Sequence, residues 1–327
     1  MALFDRYGRA HDDLRISVTD RCNFRCFYCM PEEGMTWLPH DEVLNYEEIT
    51  RVVRITTELG FTSYHLTGGE PLLRKDLHRL VEQMVEVQPE MDLALTTNGV
   101  FLPKMTKDLY AAGLRRVNIS LDSMDAGKFL FMTRRDVFGQ VMEGIEAAAE
   151  AGFSPIKINA VAVKGLSEEE LPRFARWSRE TGHVVRFIEY MPLDADRTWA
   201  HEKVLSAEEI LEGLSVEGEL ELVSGHPSDP ATRYRYKDGK GEVGVIASVT
   251  RPFCQDCNRI RLTADGMVRT CLFSTVEHDV KKMLRGGTTD DEIKAWLAEV
   301  VLTKTPGHLI GQEEFVQPER TMSAIGG

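Results

Sequence analysis

Three cysteines fall within eight residues near the start of the chain, Cys22, Cys26 and Cys29, and three more gather near its end, Cys254, Cys257 and Cys271; the sequence has no others. Thiolates bunched in this way hold iron–sulfur clusters, and a cube held by protein alone takes four of them. Each triad supplies only three, so a cube seated on either one keeps an iron open for a ligand that is not protein. That open iron is where chemistry can be done. Zinc is the rival reading, and structural zinc wants four ligands. His11 and His40 sit at no customary interval from the first triad, whereas His278 leaves a Cys3His site open at the second, where CxxC on a hairpin is a common zinc arrangement.

Other residues of chemical interest stand beside the cysteines. Tyr28, just before the last cysteine of the first triad, is placed either to stack on a ligand at the open iron or to pack under the loop. Thr67-Gly68-Gly69-Glu70-Pro71 follows a strand-like run, and its paired glycines let backbone come close to a ligand. Asn258-Arg259-Ile260-Arg261 sets two guanidiniums on one face of a strand. Such a pair suits phosphate or a purine edge, although an exposed charged face is the commoner fate of an R-x-R.

An alternating α/β scaffold must carry these groups. Strand-like runs at 14–18, 63–67, 92–97, 116–121, 155–163 and 184–190 are separated by amphipathic segments. Segment 46–59 has Asn45 as N-cap, Glu48 three residues on, apolar Ile49, Val52, Val53 and Ile55, and Gly60 as its stop. Successive βα units predict parallel strands with right-handed crossovers. Six units rather than eight predict a partial, TIM-like (βα)6 barrel with its site where strands end and loops begin.

Residues two apart on a strand share a face. One face here is polar: Arg15 and Ser17, then Ser63, His65 and Thr67, Thr96 and Asn98, Asn118, Ser120 and Asp122, and Lys157 and Asn159. The other carries Leu14, Ile16, Val18, Tyr64, Leu66, Leu93, Leu95, Val117, Ile119, Leu121, Ile156 and Ile158 and packs on the helices. Closed barrels fill their interior with branched aliphatics, so a polar lumen predicts a ligand cavity; the alternative, an antiparallel sheet with one wet face, fits poorly with the intervening helices. Past Met191 the rhythm changes to a loop over 192–203, a helix over 207–214, hairpin-like runs from Thr232 with DGKG and ADG as turns, helices around 276–284 and 290–301, and an extended mobile end at 323–327. The expected division is a barrel over 1–215 and a C-terminal α+β domain over 216–327.

The 327 residues carry a formal net charge of −13, which argues against broad nucleic-acid binding. An anionic small substrate would need arginines and lysines gathered in a cavity. No segment is apolar over the roughly 18 residues of a membrane span, and the opening residues lack a signal peptide's apolar core. A cytoplasmic protein is expected, where clustered thiols bind metal more often than they pair.

Cys22-Asn23-Phe24-Arg25-Cys26-Phe27-Tyr28-Cys29 together with the GGEP turn resembles the radical S-adenosylmethionine superfamily. That resemblance implies a [4Fe-4S] cluster on Cys22, Cys26 and Cys29 whose free iron takes S-adenosyl-L-methionine, with Tyr28, Gly69, Ser120 and Met191 contacting it. One electron then cleaves the sulfonium to methionine and a 5′-deoxyadenosyl radical. Along its whole length, through LTGGEPLLR, LTTNG, RRVNISLDS, VRFIEYMP, FCQDCNRIRLTADG and the terminal IGG, the sequence is similar to the GTP 3′,8-cyclases of molybdenum cofactor biosynthesis. This second resemblance implies a further [4Fe-4S] cluster on Cys254, Cys257 and Cys271 that binds the guanine of GTP. It also implies GTP contacts from Arg15, His65, Thr96, Lys157, Arg259, Ile260 and Arg261, with Arg15, Arg259 and Arg261 catalytic, and a Gly326-Gly327 tail that reaches the site. Implied partners are a flavodoxin or ferredoxin as electron donor and a downstream cyclic pyranopterin monophosphate synthase, with room for a homodimer and with neither membrane nor nucleic acid. His65 departs from the resemblance, standing where the family usually has an arginine that touches the nucleotide. Weaker or more pH-dependent GTP binding is expected from it, with cyclisation retained. A peptide-modifying radical maturase is the alternative enzyme, though such proteins usually carry more tail cysteines; a zinc-stabilised nucleotide-binding regulator is the alternative outside enzymes.

Overall fold

The alternation of polar and apolar residues folds into six parallel strands: β1 (Asp13–Ser17), β2 (Ser63–Thr67), β3 (Asp92–Thr97), β4 (Arg116–Ser120), β5 (Ile156–Ala162) and β6 (Val184–Glu189). Each pairs in parallel with the next in chain order. The computed structural model describes residues 2–326. Between the strands run α1 (Tyr46–Glu58), α2 (Leu77–Val87), α3 (Leu102–Ala111), α4 (Ala126–Thr133), α5 (Phe138–Glu150) and α6 (Glu170–Thr181), with α7 (Ala207–Ser215) after β6. The α1 N-terminus has its expected capping box: Glu48 N donates to Asn45 Oδ1 at 2.7 Å and Asn45 N to Glu48 Oε2 at 2.8 Å. Ile49, Val52, Val53 and Ile55 are buried against the apolar strand face, each contributing about 1.5–3 kcal/mol by leaving water.

The remaining strands extend this sheet at both edges. They are β7 (Leu220–Val223), β8 (Thr232–Tyr236), β9 (Glu242–Ile246), β10 (Arg259–Leu262), β11 (Met267–Arg269) and β12 (His278–Asp279). β9 adds in parallel to β6, and β10 adds in parallel to β1. The 12-stranded sheet therefore runs β12-β11-β10-β1-β2-β3-β4-β5-β6-β9-β8-β7. β8–β9 and β10–β11 are the two antiparallel hairpins that the turn residues predicted. Because β9 and β10 lie at opposite edges of the barrel strands, segment 247–258 must pass from one edge to the other, and it carries Cys254 and Cys257.

Two C-terminal expectations are corrected. The helix expected around 276–284 is only α8 (Lys281–Arg285), because His278 and Asp279 pair with Val268 and Met267 as a strand. The end expected to be extended and mobile instead forms α10 (Met322–Ile325), following α9 (Asp290–Leu302); Ser323 and Ile325 are buried. Arg261 Nη1 donates to the Gly326 carbonyl at 2.6 Å, which ties this end to β10. Gly327 lies outside the described residues. No helix is long and apolar enough to cross a membrane among the described residues.

A small N-terminal hairpin, Leu3–Phe4 with Ala10–His11, holds a buried polar set. Asp5 Oδ2 accepts from Arg9 Nε at 2.6 Å and lies 3.2 Å from His11 Nε2. Burial, then the charge of Lys304, pushes His11 down to about 4. Below the ordinary histidine value near 6.5, the unfolded chain therefore takes a proton that the folded chain refuses until about pH 4. Stability should fall across that window by up to roughly 3 kcal/mol. His11→Gln should flatten the fall, as read from urea midpoints at pH 7.5 and 5; an equal fall in both proteins would remove His11 as its cause.

Candidate active site

The cysteine loop after β1 is held by its neighbours rather than by its own regular structure. Arg25 N donates to Thr133 O at 3.0 Å and Phe27 N to Met132 O at 3.1 Å, both at the end of α4. The Arg25 guanidinium donates to the carbonyls of Cys22 (2.8 Å) and Phe24 (2.7 Å), and Arg135 Nε donates to Asn23 O at 2.8 Å. The paired glycines after β2 dock on the same loop: Gly69 N donates to Thr19 O and Glu70 N to Arg21 O, both at 2.7 Å. A Cβ on Gly68 would sit 2.5 Å from Thr19 O, and one on Gly69 would sit 2.3 Å from Arg21 O. These glycines thus admit the cysteine loop itself, a close approach that sequence reading assigned to a ligand.

Both triads open onto one cavity of about 450 Å3, and all six thiols are free. The polar strand face lines it as the alternation required, from Arg15 through His65, Thr96 and Asn118 to Lys157 and Asn159. Ser17 does not line it: Gly326 covers this serine so closely that a Cβ there would lie 2.9 Å from Ser17 Cβ. Tyr28, Gly69, Ser120 and Met191 all reach the cavity. The Tyr28 hydroxyl donates to Asp122 Oδ2 at 2.6 Å, and its ring meets Phe27 edge-on at 5.5 Å. Arg259 and Arg261 enter from β10, whereas Ile260, between them, turns its side chain into the core at 1% exposure. Strand alternation leaves Ile260 only its backbone to offer a ligand. His278, the zinc alternative at the second triad, meets Trp296 edge-on at 6.4 Å and does not line the cavity. His308 lines the cavity instead, its Nε2 2.7 Å from the Ser248 carbonyl. Among the described residues no three His, Cys, Asp or Glu side chains converge on one metal ion.

The electrostatics differ between the two ends. At the first triad burial pushes the Cys22 thiol up to about 12, with Glu70 adding to it, and pushes Cys29 up to about 11; Cys26 rises well above its ordinary value through burial and Asp122. The carboxyls there are also raised by burial, Glu70 to about 7 and Asp122 to about 6. At the second triad burial alone would raise Cys257, but Lys304 and Arg259 outweigh it and bring the thiol down to about 6.

Along the lumen Arg15, Lys157, Arg186, Arg259 and Arg261 form no ion pair with any carboxylate among the described residues. Burial and then mutual repulsion push Arg186 and Arg261 down to about 9 and Lys157 to about 8. Arg15 Nε and Arg259 Nη2 are buried donors with no partner. Such a cluster calls for an anion of several charges. Arg186 was not among the residues singled out from sequence, although extending the period-two reading to β6 would have found it.

The histidine that departs from the resemblance is locked into this lining. Arg186 Nη2 donates to Asn118 Oδ1 at 2.9 Å, so the Asn118 amide nitrogen faces His65 Nε2 at 3.0 Å as a donor. It also donates to Thr96 Oγ1 at 3.2 Å, leaving the Thr96 hydroxyl to donate to His65 Nε2 at 2.6 Å. Nε2 is therefore an acceptor and His65 is neutral. Burial, with Arg15 and Arg186, holds its pKa well below 6.5. This setting argues against the pH-sensitive half of the sequence expectation, because a ring held neutral does not change its charge between pH 6 and 8.

The glycine docking is testable. Gly69→Ala should force the cysteine loop and the turn apart, costing about 1–3 kcal/mol as overpacking does. The melting temperature should drop and iron should be lost from the first site. Gly139→Ala, where nothing lies within 4 Å of the added carbon, should change neither. Full iron loading in Gly69→Ala would show that the contact does not position the loop.

Comparison with known proteins agrees with the geometry. The family model described as Radical SAM superfamily matches residues 16–178, and Molybdenum Cofactor Synthesis C matches residues 183–310. The chain is 46% identical over 332 residues to the GTP 3′,8-cyclase of Rhodopirellula baltica, covering 100% of this chain and 92% of that one. With the GTP 3′,8-cyclase of Streptomyces coelicolor it shares 47% identity over 328 residues, covering 99% and 96%. Among solved structures, Streptococcus suis SuiB bound to precursor peptide SuiA superposes with a TM-score of 0.63 at 14% identity, covering 90% of this chain and 67% of that one, a likeness of fold. Matched along its full length at this level of identity, with two thiol triads facing one cation-lined cavity, the chain belongs to the GTP 3′,8-cyclase family of radical S-adenosylmethionine enzymes.

Proposed function

We propose that this chain converts GTP to 3′,8-cyclo-7,8-dihydro-GTP, the first step of molybdenum cofactor biosynthesis, with residues 1–215 carrying the radical-generating cluster, residues 216–327 carrying the second cluster, and both parts contributing cations to the substrate. The observation that carries the reading is the single cavity on which both thiol triads and five carboxylate-free cations converge. The donor sets fit a [4Fe-4S] cluster at each end: three free thiols without a fourth, facing inward. When bound, the first cluster and S-adenosyl-L-methionine supply a 5′-deoxyadenosyl radical, whose removal of the C3′ hydrogen lets C3′ join guanine C8.

The chain's own residues bind and orient. Tyr28, Gly69, Ser120 and Met191 line the cavity and would hold the cofactor beside the first triad. Arg15, Lys157 and Arg186 face the triphosphate from the strands, Arg259 and Arg261 face it from β10, and Thr96 and His65 contribute polar contacts from the lumen floor. Desolvated cations aimed at a polyanion hold it without reorganising, which fixes the ribose against the radical source. Cys254, Cys257 and Cys271 would seat the second cluster with its open iron toward guanine. A flavodoxin or ferredoxin would deliver two electrons, one to cleave the sulfonium and one that, with a proton, quenches the purine radical left when C3′ joins C8, and cyclic pyranopterin monophosphate synthase would consume the product.

Anaerobic incubation of reconstituted protein with dithionite, S-adenosyl-L-methionine and GTP deuterated at C3′ should place deuterium in 5′-deoxyadenosine, read by mass spectrometry. Cleavage of the cofactor without that transfer would point to another substrate. For His65, the ratio of the GTP KM of His65→Asn to that of the unmodified enzyme should stay constant from pH 6 to 8. An inflection near pH 6.5 that the substitution removes would show a titrating ring.

A further inference from the structure

Lys304, just past the end of α9, is buried at 3% exposure. Its Nζ donates to the Arg259 carbonyl at 2.6 Å and stands 3.4 Å from Cys257 Sγ. Among the described residues it pairs with no carboxylate: Asp5, on the adjoining N-terminal hairpin, is occupied by Arg9 at 2.6 Å. A buried ammonium is costly unless a negative group answers it, and the groups that face this one are the sulfurs of Cys257 and Cys271.

Its position is built. Arg9, fixed by Asp5, donates to the carbonyls of Cys254 (2.7 Å), Thr305 (2.7 Å) and Pro306 (3.0 Å), stapling the segment after α9 to the cysteine turn. Gly307 passes Cys254 so closely that an added Cβ would lie 3.2 Å from Cys254 Cβ. The N-terminal hairpin, the cysteine turn and the post-α9 segment thus close together around Lys304.

We propose that Lys304 is a positioning residue of the second site, its buried ammonium donating to the Cys257 sulfur and to the Arg259 carbonyl so as to offset thiolate charge and raise the reduction potential of the cube held there. This rests on the reading that the second triad holds a [4Fe-4S] cube. Reduction adds negative charge to a desolvated site, and a fixed cation with a hydrogen bond to sulfur favours the reduced form. The same lysine ties that sulfur to the backbone of Arg259, so cluster and substrate cation share one support. Among the described residues the first triad has the carboxyls of Glu70 and Asp122 beside it, and its cation, Arg25, donates to the Cys22 and Phe24 carbonyls with no hydrogen bond to a cysteine sulfur.

The test is an EPR-monitored redox titration of the full chain carrying Cys22→Ser, Cys26→Ser and Cys29→Ser, so that only the second cube forms, with iron counted per chain. Lys304→Met and Lys304→Gln should each give a midpoint more negative than this parent, Met by the larger amount, and Lys304→Arg should return toward it. A loaded parent and a loaded Lys304→Met with equal midpoints overturn this proposal alone, whereas a parent that binds no iron at the second triad overturns the cluster reading and this proposal with it. Should the neutral variants lose the cube, melting of the metal-free chain decides: an unchanged or higher melting temperature in Lys304→Met supports a role directed at the cube. A lower one makes Lys304 a structural tie to Arg259 and overturns the proposal.

Discussion

Everything at the site depends on how the chain after α7 rejoins the sheet. Glu242–Ile246 adds in parallel beside Val184–Glu189, and Arg259–Leu262 adds in parallel beside Asp13–Ser17, so the two strands flank the six barrel strands on opposite edges. Backbone hydrogen bonding fixes both registers. The connection between them runs along the cavity, which Ser248, Phe253, Cys254 and Cys257 line. β10 in that register also sets Arg261 opposite Arg15, so substrate cations from distant parts of the chain meet across one ladder. A slip of one residue would turn both arginines into the core and bring Ile260 into the lumen.

Overall acidity and a cationic interior are compatible because they lie in different places. The charge of −13 is spread over the whole chain, while the lumen collects arginines and a lysine whose charged forms are held at a cost in desolvation. That cost is visible as buried donors left without partners at Arg15 and Arg259. A polyphosphate entering such a site replaces unsatisfied donors by charge-assisted hydrogen bonds. The acidic exterior would repel the same ligand weakly and through screening salt, whereas attraction inside acts at short range in a low dielectric.

Much of this was legible in the sequence. Residue alternation placed all six barrel strands within a residue or so of where they form, because each has one apolar and one polar side and shifting it by one residue would exchange them. The cysteine spacings and the polar face led to the cavity. What was missed depends on contacts distant in sequence. Nothing local marks Lys304 as a partner of Cys257 or Arg9 as a staple on the Cys254 turn, since these meet only through tertiary packing. The tail was read as loose because four residues carry too little pattern to show a helix that Arg261 and β1 hold in place. His65 was identified, but its protonation depends on Asn118 and Arg186, one and three strands away in the sheet order beyond β3.

The two ends of the cavity differ in their buried charges, and that asymmetry matches what the proposed reaction asks of them. Glu70 and Asp122 lie by the first triad, where the cofactor to be seated is a sulfonium cation; a carboxylate there answers its charge. Lys304, Arg259 and Arg261 lie by the second, where the ligand is a polyanion. Exchanging these surroundings would set cation against cation at one end and anion against anion at the other, each in a desolvated site where such contacts cost most. Two triads of the same ligand type thus acquire different tasks through the charges around them: the cysteines determine that a cluster can be held, and their neighbours determine which small molecule approaches it.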